Sequence, residues 1–506
     1  MIGHIRADRT VHMIRTIGTI LAIALYTLHA QAQQTNIIPE PLEYTSTGQT
    51  IDLAGQQDTL PGEIVVMTQP TGMGAASYIL EIAPGRTTIT AEDADGEHYA
   101  RQTLQQLIDL AKYEGQPIPA CTIKDKPRYA WRGLMIDPAR YHWSVEDIEK
   151  YIELMSYYKY NKLHLHLTDD QGWRFPVPSY DRLQGIASKR SETAGDGKPH
   201  GGFYTREDMK RLVDFAAKHR IELIPEFSLP AHVQALAAAY PEMVCYPGDN
   251  IEVRTIPGKS KDLLCPSNED VFRFYDALFN ESKQLFPSPY IHIGGEEIPL
   301  ENWNTCPNCA QYRKKYELAA PNDQLRHVTE RMVTLLAQHG KKPLRWYNPS
   351  LGDSYAEGSI VYTADSNNAT GTLKQAEAKK LLVICAPAEY ASLDYPQQKN
   401  DCPDNKFSNI LPIVPLEKTY SFDPGNGLSP EAQAHILGVE GTLWGEQIDT
   451  LSRALFMSYP RAFALSEAAW SPMNVRSWPH FEKKAKMHIN LLSRKWKVDV
   501  SRPSGQ

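Results

Sequence analysis

The amino-acid sequence predicts an α/β protein in which a small α+β domain precedes a (β/α)8 TIM barrel. Two observations lead to this class. Beyond residue 130, eight short apolar segments alternate with helical patterns, which is the rhythm of a closed parallel barrel. Polar and charged residues follow the ends of these segments, and the active sites of such barrels lie at those strand ends.

Composition places the chain among ordinary globular proteins. Its 506 residues are 42% hydrophobic and 22% charged, and they suffice for one large and one smaller domain. The formal net charge is -7, and the sequence contains no run of lysine and arginine that would indicate a nucleic-acid partner. We therefore expect no nucleic acid among its partners.

Residues 1–32 are predicted to be a signal peptide. Arg15 supplies positive charge, an apolar core runs over Ile17–Leu28, and Ala30-Gln31-Ala32 is a small-x-small cleavage site. The apolar core is too short to span a bilayer, and no cysteine follows the cleavage site, so we expect neither a membrane span nor a lipid anchor. The sequence thus predicts export to the periplasm or the medium.

Seven cysteines lie at positions 121, 245, 265, 306, 309, 385 and 402. Export permits disulfides, and Cys245 with Cys265 could close one loop and Cys306 with Cys309 a tight one, although the sequence leaves the pairing open. The alternative for Cys306-Pro307-Asn308-Cys309 is a zinc half-site, but the sequence offers no second Cys/His pair at finger spacing. We therefore expect no metal. Cys385 lies in an apolar run and is predicted to be a buried core residue.

Residues 33–125 are predicted to form the small α+β domain, whose role we expect to be structural support. Short β-rich segments alternate with turn residues, and an amphipathic helix over His98–Lys112 follows them. The apolar stripe of this helix consists of Tyr99, Leu104, Leu107 and either Leu110 or Ala111. The strands are expected at Glu63–Met67, Tyr78–Ile82 and Thr87–Ala91.

Residues 126–480 are predicted to form the barrel, and residues 481–506 a C-terminal helix or tail. The eight strands are expected at Gly133–Pro138, Lys162–Thr168, Ile221–Phe227, Tyr290–Ile293, Pro343–Tyr347, Ser359–Thr363, Leu381–Ala386 and Ile436–Thr442. Helices are expected between them at Val145–Tyr157, Thr205–His219, Asp270–Leu285, Asn322–His339 and Leu373–Lys380. The sixth strand–helix unit has the weakest pattern.

The segment Tyr290–Glu297 carries the strongest catalytic signal. A β-branched apolar strand ends in Gly294 and Gly295, and Glu296 and Glu297 follow directly. Neighbouring strand residues normally point apart, but two glycines let the backbone leave strand geometry, so both acids can face one site. Two close carboxylates shift each other's pKa, as general acid catalysis near neutral pH requires. The competing interpretation is a solvated acidic turn.

Polar residues at the other strand ends favour a site over a surface turn. Carboxylates, a guanidinium and indole rings together suit a sugar, whose faces are apolar and whose edges are polar. Nothing in the sequence resembles a phosphate loop, a dinucleotide fingerprint or a serine nucleophile elbow. The residues that follow successive strands are Asp137, Arg140, His166, Asp169, Asp170, Glu226, His232, Trp346, Asp394, Trp444 and Glu446.

Several polar candidates also allow a structural interpretation. His164 and His166 share one strand face, and packing inside the barrel explains them as well as a site role does. Asp170 is the natural partner for His232, although Asp-Gln-Gly also forms turns. Asp137 is interpreted as structural.

The two tryptophans at strand ends allow two interpretations as well. Trp346 and Trp444 could both be core aromatics. Glu446 follows Trp444 by two residues and would share its face if the strand continues, which favours a platform for a sugar ring.

Several long motifs occur in order across nearly the whole mature chain. They are Asn36–Pro41, Tyr99–Leu107, Trp131–Arg140, Leu163–Arg174 (LHLHLTDDQGWR), Gly202–Thr205, Pro225–Phe227 with His232, and Leu437–Val439 leading to Trp444-Gly445-Glu446. Together these motifs resemble the glycoside hydrolase family 20 β-N-acetylhexosaminidases.

The resemblance implies a retaining mechanism that needs no metal or cofactor, in which the substrate's own 2-acetamido oxygen is the nucleophile. Glu297 would be the general acid and then the base, Glu296 would orient the acetamido N–H, and Asp170 with His232 would support the acid. The implied substrate contacts are Arg140 on the 3- and 4-hydroxyls, Asp394 on the 4- or 6-hydroxyl, Glu446 on ring hydroxyls, Trp346 beside the acetamido group and Trp444 under the ring.

Three departures from the family pattern fall on the acetamido pocket. Glu296 stands where the family has Asp, and it is one methylene longer. Ser392 stands where a Tyr would hold the acetamido carbonyl, and Ile360–Asp365 ends without the usual Trp. A displacement of ~1 Å in a positioning group can cost about 100-fold in rate. The departures therefore predict a reshaped pocket.

The sequence thus predicts an exported, exo-acting β-N-acetylhexosaminidase-like hydrolase with an altered acetamido pocket, acting on a glycan or glycoconjugate. Two alternatives remain open. One is a related β-glycosidase for a modified or non-acetamido sugar, and the other is a weakly catalytic carbohydrate-binding relative. Retention of the acid and its support pair argues against the second alternative.

Overall fold

A closed barrel of eight parallel strands preceded by a small mixed sheet confirms the predicted fold class. The computed structural model describes residues 34–53, 59–248, 250–349, 358–363, 373–375, 378–399 and 411–498, with the single residues 351, 355, 401 and 500. The barrel strands are Trp131–Ile136, Lys162–His166, Glu222–Glu226, Tyr290–His292, Lys342–Trp346, Ile360–Thr363, Leu382–Cys385 and Ile436–Leu443. The eighth strand pairs with the first, which closes the barrel.

The predicted helices between these strands are present. They span Val145–Tyr157, Arg206–Lys218, Glu269–Leu285 and Pro321–Gln338. The helix expected at 373–380 falls partly outside the described residues. Helices that the sequence pattern missed span Gln234–Ala239, Glu301–Thr305, Pro307–Lys315, Ala388–Ala391, Leu416–Tyr420, Pro430–Gln433, Leu451–Ser458 and Arg461–Trp470. The C-terminal helix, expected within residues 481–506, spans Trp478–Lys495. Within the described ranges, no helix combines the length and apolarity that crossing a membrane requires.

The small N-terminal domain is one five-stranded sheet covered by the helix Ala94–Glu114. Asp93 caps the start of this helix, and Gly115 ends it in the left-handed region with φ +67°. Its predicted apolar stripe is buried, with Leu110 rather than Ala111 as the last member. The strands are Glu43–Ile51, Gly62–Thr68, Tyr78–Ala83, Gly85–Ala91 and Ile118–Asp125. The first and last were not predicted; the first is largely polar and exposed.

Neither disulfide that the sequence allowed is present, because all six described cysteines are free thiols. Cys245, Cys265, Cys306 and Cys309 instead converge in one buried cluster. The sulfur of Cys309 lies 3.5 Å from that of Cys245 and 3.7 Å from that of Cys265, whereas a disulfide requires about 2 Å. Cys385 is buried in the seventh barrel strand, as predicted, and position 402 lies outside the described residues.

A buried lysine connects the N-terminal segment, the barrel and the C-terminal helix. The Nζ of Lys484 lies 2.5 Å from a carboxylate oxygen of Glu40 and 2.5 Å from one of Glu467. All three side chains are almost completely buried. This ion cluster therefore joins three parts of the chain that are far apart in sequence.

Replacing this lysine is expected to destabilise the protein strongly. Lys484→Met leaves two buried carboxylates without their cation, which should lower the free energy of unfolding by roughly 3–5 kcal/mol. The matched control is Lys486→Met on the same helix, where an exposed lysine pairs with Glu482 at 3.2 Å. The control should cost less than about 1 kcal/mol. Chemical denaturation measures the free energy of unfolding of both variants. Equal losses would contradict the stabilising role given to Lys484.

Candidate active site

The two adjacent glutamates lie on an irregular loop after the fourth barrel strand. The strand ends at His292, and Gly294, Gly295 and Glu297 then have φ values of +68°, +101° and +45°. The backbone leaves extended geometry where the two glycines predict it should. As a result, a carboxylate oxygen of each glutamate lies within 4.0 Å of the same histidine ring.

The two carboxyl groups have different surroundings. The side chain of Glu296 is 16% exposed and accepts a hydrogen bond of 2.8 Å from the Ser228 hydroxyl. Burial, followed by the nearby Glu226 carboxylate, raises the pKa of Glu296. The side chain of Glu297 is 58% exposed and lies 3.3 Å from the Nζ of Lys259. Glu297 thus faces the open mouth, while Glu296 lines its wall.

His232 is the ring that both glutamates face. Its Nε2 lies 3.9 Å from Glu296 Oε1 and 4.0 Å from Glu297 Oε2. Its Nδ1 lies 3.3 Å from Asp169 Oδ1 and 4.0 Å from Asp170 Oδ2. Burial alone would lower the pKa of this imidazole, but the charge and hydrogen bond of Asp169, together with the charges of Glu296 and Asp170, raise it to about 9. At neutral pH the ring is therefore an imidazolium.

Asp169, and not the predicted Asp170, is the nearer partner of His232. Asp170 instead accepts hydrogen bonds from the backbone amides of Gln234 and Ser260, at 2.9 and 2.7 Å. Its carboxylate thus fastens two loops together behind the ring. The alternation of side chains along a strand does not tell which of two adjacent acids faces His232. The short hairpin in which Asp169 pairs with Gly172 fixes the direction of Asp169.

The guanidinium of Arg140 is surrounded by carboxylates. Its Nη1 donates to Asp137 Oδ2 at 2.8 Å, and its Nη2 lies 2.8 Å from Asp169 Oδ2 and 3.7 Å from Glu446 Oε1. Burial alone would lower its pKa, but these acids raise it above the ordinary value. Asp137 also accepts from the Gly445 amide at 2.8 Å, so it positions both Arg140 and the Trp444 loop, in line with a structural role.

The two predicted tryptophans lie at different depths. Trp346 is buried and donates from Nε1 to Glu226 at 2.7 Å. Trp444 is partly exposed, and its ring centroid lies 5.6 Å from that of Trp346 and 5.4 Å from the Arg140 guanidinium carbon. Trp444 therefore presents an indole surface at the mouth, and Trp346 supports it from within the barrel.

Asp394 lies on the same side of the mouth as Glu446. Burial, followed by the charge of Glu446, raises the pKa of Asp394 to about 8. Its Oδ1 is buried and has no hydrogen-bond partner among the described residues. Burial also raises the pKa of Glu446. A carboxyl group that is protonated at neutral pH can donate as well as accept a hydrogen bond.

A buried histidine network forms the floor of the mouth. Glu226 lies 3.1 Å from His164, 2.5 Å from His166 and 2.9 Å from His292. Burial would raise the pKa of Glu226, but these rings hold it well below its usual range. His166 also lies 2.9 Å from Asp169, so it reaches the site, whereas His164 packs inside the barrel between Glu226 and Glu440.

Two residue sets in this mouth have the composition of cation ligands. One is His164, Glu226 and His292, and the other is Asp169, Asp170 and His232. In both sets the carboxylates already have protein partners, namely Trp346 on Glu226, Arg140 on Asp169 and Ser260 on Asp170. The carboxylates of both sets are therefore already engaged by donors of the protein itself.

Three loop residues were missed by sequence reasoning. Ser228 donates to Glu296, Ser260 donates to Asp170 from Oγ at 3.1 Å, and Lys259 pairs with Glu297. The position of Ser228, between a strand end and His232, is a usable signal. Ser260 and Lys259 lie far from any motif, so only the folded loop reveals them.

Ser392 and the end of the sixth strand are two of the positions that depart from the family pattern. Ser392 is buried and bridges in parallel to Thr442. Tyr390 stacks on Phe422, with ring centroids 5.0 Å apart. The sixth strand is described over Ile360–Thr363, and residues 364 and 365, where it was expected to end, lie outside the described residues.

An eight-stranded barrel whose mouth combines acid pairs, a buried arginine and indole rings is an arrangement suited to a glycoside hydrolase. The model of the glycosyl hydrolase family 20 catalytic domain matches residues 129–473, and the model of domain 2 of that family matches residues 27–126. The chain therefore belongs to glycosyl hydrolase family 20.

Individual relatives agree with this family. The chain is 38% identical over 475 residues to a beta-hexosaminidase of Akkermansia muciniphila, covering 93% of each protein. It is 32% identical over 415 residues to a beta-hexosaminidase of Porphyromonas gingivalis, covering 80% of this chain and 52% of that protein.

Solved structures show the same likeness. A crystal structure of a beta-N-acetylhexosaminidase matches with a TM-score of 0.88 and 37% identity, over 94% of this chain and 98% of that one. The exo beta-N-acetylglucosaminidase of Vibrio harveyi in complex with N-acetylglucosamine matches with a TM-score of 0.83 and 26% identity, over 93% of this chain and 79% of that one.

A side chain at Gly294 is expected to damage the site. A Cβ there would lie 2.8 Å from Ser228 Cα and 3.0 Å from Leu229 N, which belong to the loop that carries His232. Gly294→Ala should therefore lower kcat/KM at least ~100-fold. Gly340→Ala is the control, because Gly340 has φ +72° and nothing within 4 Å of the added carbon. Similar activity losses in both variants would contradict this account.

The charge of His232 is expected to make stability depend on pH. Its folded-state pKa is raised from 6.5 to about 9, so its stabilising contribution is complete below pH 6.5 and is lost as pH rises through about 9. Denaturation midpoints at both pH values measure the loss. His232→Gln should lose less stability over this interval than the wild type does, and an unchanged pH dependence would contradict the assignment.

Proposed function

We propose that the protein is an exported, exo-acting, retaining hydrolase that removes a terminal β-linked N-acetylhexosamine from a glycan or glycoconjugate. The family assignment supports the reaction class, and the activities for which the relatives are named support the N-acetylhexosamine. The predicted signal peptide supports export to the periplasm or the medium, although residues 1–32 lie outside the described residues.

One observation carries the proposal for this mouth. Glu296 Oε2, His232 Nε2 and Asp394 Oδ1 are buried polar atoms without a hydrogen-bond partner among the described residues. Burying an unpaired polar group costs about 1–3 kcal/mol, so natural proteins rarely do so without a ligand or water to satisfy it. An amide and several hydroxyls on one sugar ring are groups of the right kind.

In the proposed reaction, Glu297 protonates the leaving oxygen and then activates water. Its exposed position suits a group that meets an aglycone and bulk water. The substrate's 2-acetamido oxygen attacks the anomeric carbon, which gives retention through a cyclic intermediate. Glu296 accepts the acetamido N–H and balances the positive charge that develops on it. His232, held by Asp169, keeps both acids in place.

The remaining side chains hold the sugar. Trp444 offers its indole surface to the apolar face of the ring, and Glu446 and Asp394 bind hydroxyls along the ring edge. Asp137, Asp169 and Gln171 hold the guanidinium of Arg140 in a fixed position. Its remaining N–H groups are therefore oriented to donate to sugar hydroxyls. Trp346 supports the acetamido side from below.

We also propose that the acetamido pocket is altered. Glu296 is longer than the family's Asp, yet the Ser228 hydroxyl draws one of its oxygens back toward the neighbouring loop. The serine at position 392 is smaller than the tyrosine of the family pattern, and we infer that this substitution enlarges the pocket. A bulkier N-acyl group would fill this space, so the enzyme is expected to accept N-acyl groups larger than acetyl.

The assignment of Glu297 is tested with two leaving groups. Nitrophenolate leaves without much help, whereas a sugar alkoxide needs protonation. Glu297→Gln should therefore lower kcat/KM on a β-linked N-acetylglucosamine disaccharide by roughly 100- to 10 000-fold, and less on 4-nitrophenyl N-acetyl-β-glucosaminide. Glu301→Gln, an exposed glutamate on the next helix, is the control. Equal losses of kcat/KM on both substrates would mean that Glu297 is not the general acid.

Assistance by the acetamido group is tested on the substrate side. Successive fluorination of the N-acetyl methyl makes the carbonyl oxygen a weaker nucleophile, so wild-type kcat should fall with each fluorine. The same aryl leaving group on β-glucoside and β-galactoside should be hydrolysed far more slowly. A kcat that does not change with fluorination, or fast hydrolysis of the β-glucoside or β-galactoside, would favour a β-glycosidase for non-acetamido sugars. Binding without turnover of any substrate would favour a carbohydrate-binding relative.

A further inference from the structure

Outside the sugar site, four cysteines from three segments meet in one place. Cys245 and Cys265 flank an antiparallel bridge between Val244 and Leu264. Cys306 lies between the helices Glu301–Thr305 and Pro307–Lys315, and Cys309 lies in the first turn of the second helix. All four side chains are buried, with exposures of 7% or less. The cluster is therefore closed to solvent.

The spacing of the four sulfurs matches a tetrahedral metal centre. All four lie within 4.8 Å of one another, and the two shortest separations are 3.5 and 3.7 Å. A tetrahedron with zinc–sulfur bonds of 2.3 Å has edges of about 3.8 Å. Cys309 lies close to both Cys245 and Cys265, so the sulfurs form one group and do not separate into two bonded pairs.

We propose that Cys245, Cys265, Cys306 and Cys309 bind one zinc ion as thiolates. Four soft sulfur donors in a tetrahedral set select zinc or iron, and a closed set with four protein ligands is typical of a structural zinc site. The Cys306-Pro307-Asn308-Cys309 segment supplies one pair at the usual two-residue spacing. The second pair is 20 residues apart in sequence, and only the β-bridge brings it together.

The position of this centre gives it a consequence for activity. The chain between Cys245 and Cys265 contains Lys259 and Ser260, which contact Glu297 and Asp170. Pro230, in the His232 loop, accepts a hydrogen bond of 3.1 Å from the Leu264 amide, next to Cys265. Zinc would thus fix the loops that surround the catalytic groups. This consequence rests on the proposed function, whereas the metal site itself does not.

The metal is tested first on the wild-type full chain, purified without chelator. Elemental analysis should find one zinc per chain, and a thiol reagent should reach the four cysteines only after denaturation with a chelator. Absence of zinc, together with a denatured mass lower by four hydrogens, would mean two disulfides and would overturn the proposal. Iron in place of zinc would overturn the assignment of the metal.

Variants locate the zinc on these residues. Cys309→Ser should lower the zinc content at least ~10-fold, since the site loses one of its four ligands. Cys385→Ser, a buried cysteine in a barrel strand, should keep one zinc per chain. If Cys309→Ser does not fold, the wild-type analysis still decides the question. Full zinc content in folded Cys309→Ser would overturn the proposal.

Activity is a separate readout. Chelation of the wild-type protein should lower the thermal midpoint and raise KM more than it lowers kcat, because the loops loosen while Glu297 remains. Zinc present in a protein without hexosaminidase activity would refute the proposed function and leave the metal site standing. Active protein without zinc would refute the metal site and leave the proposed function standing.

Discussion

His232 lies between two pairs of adjacent carboxylates, with Asp169 and Asp170 facing its Nδ1 and Glu296 and Glu297 facing its Nε2. Four acids this close would repel one another strongly in a partly buried mouth. The imidazolium of His232 and the guanidinium of Arg140 supply the opposing charges. The charge on this ring therefore stabilises the close approach of the catalytic loops.

The barrel beneath holds the ring and its partners in place. Inside the barrel, the Glu226 carboxylate contacts three histidine rings and the Trp346 indole. One of those histidines, His166, also contacts the Asp169 carboxylate. Such a network is rigid because each member is hydrogen-bonded and none is exposed. The irregular loops above it carry positive φ at His232, Gly294 and Glu297, where the chain turns each side chain toward the mouth.

Much of the fold was predictable because barrel strands are apolar and regularly spaced, and each of the eight barrel strands lies within two residues of its predicted bounds. The acid pair was predictable because two glycines must precede it. The partner of His232 was not, since Asp169 and Asp170 are equivalent in the sequence and a short hairpin decides between them. The cysteine cluster was missed because its pairs meet only through tertiary contacts.

The most direct test of this account is a double-mutant cycle between His232 and Glu297, with kcat/KM measured on a disaccharide whose leaving group needs protonation. If His232 acts by holding the acid, then His232→Gln, Glu297→Gln and the double variant should show similar losses, because the histidine has nothing to position once the acid is gone. Losses that multiply in the double variant would mean that the two residues act independently, and would contradict the central role given to this ring.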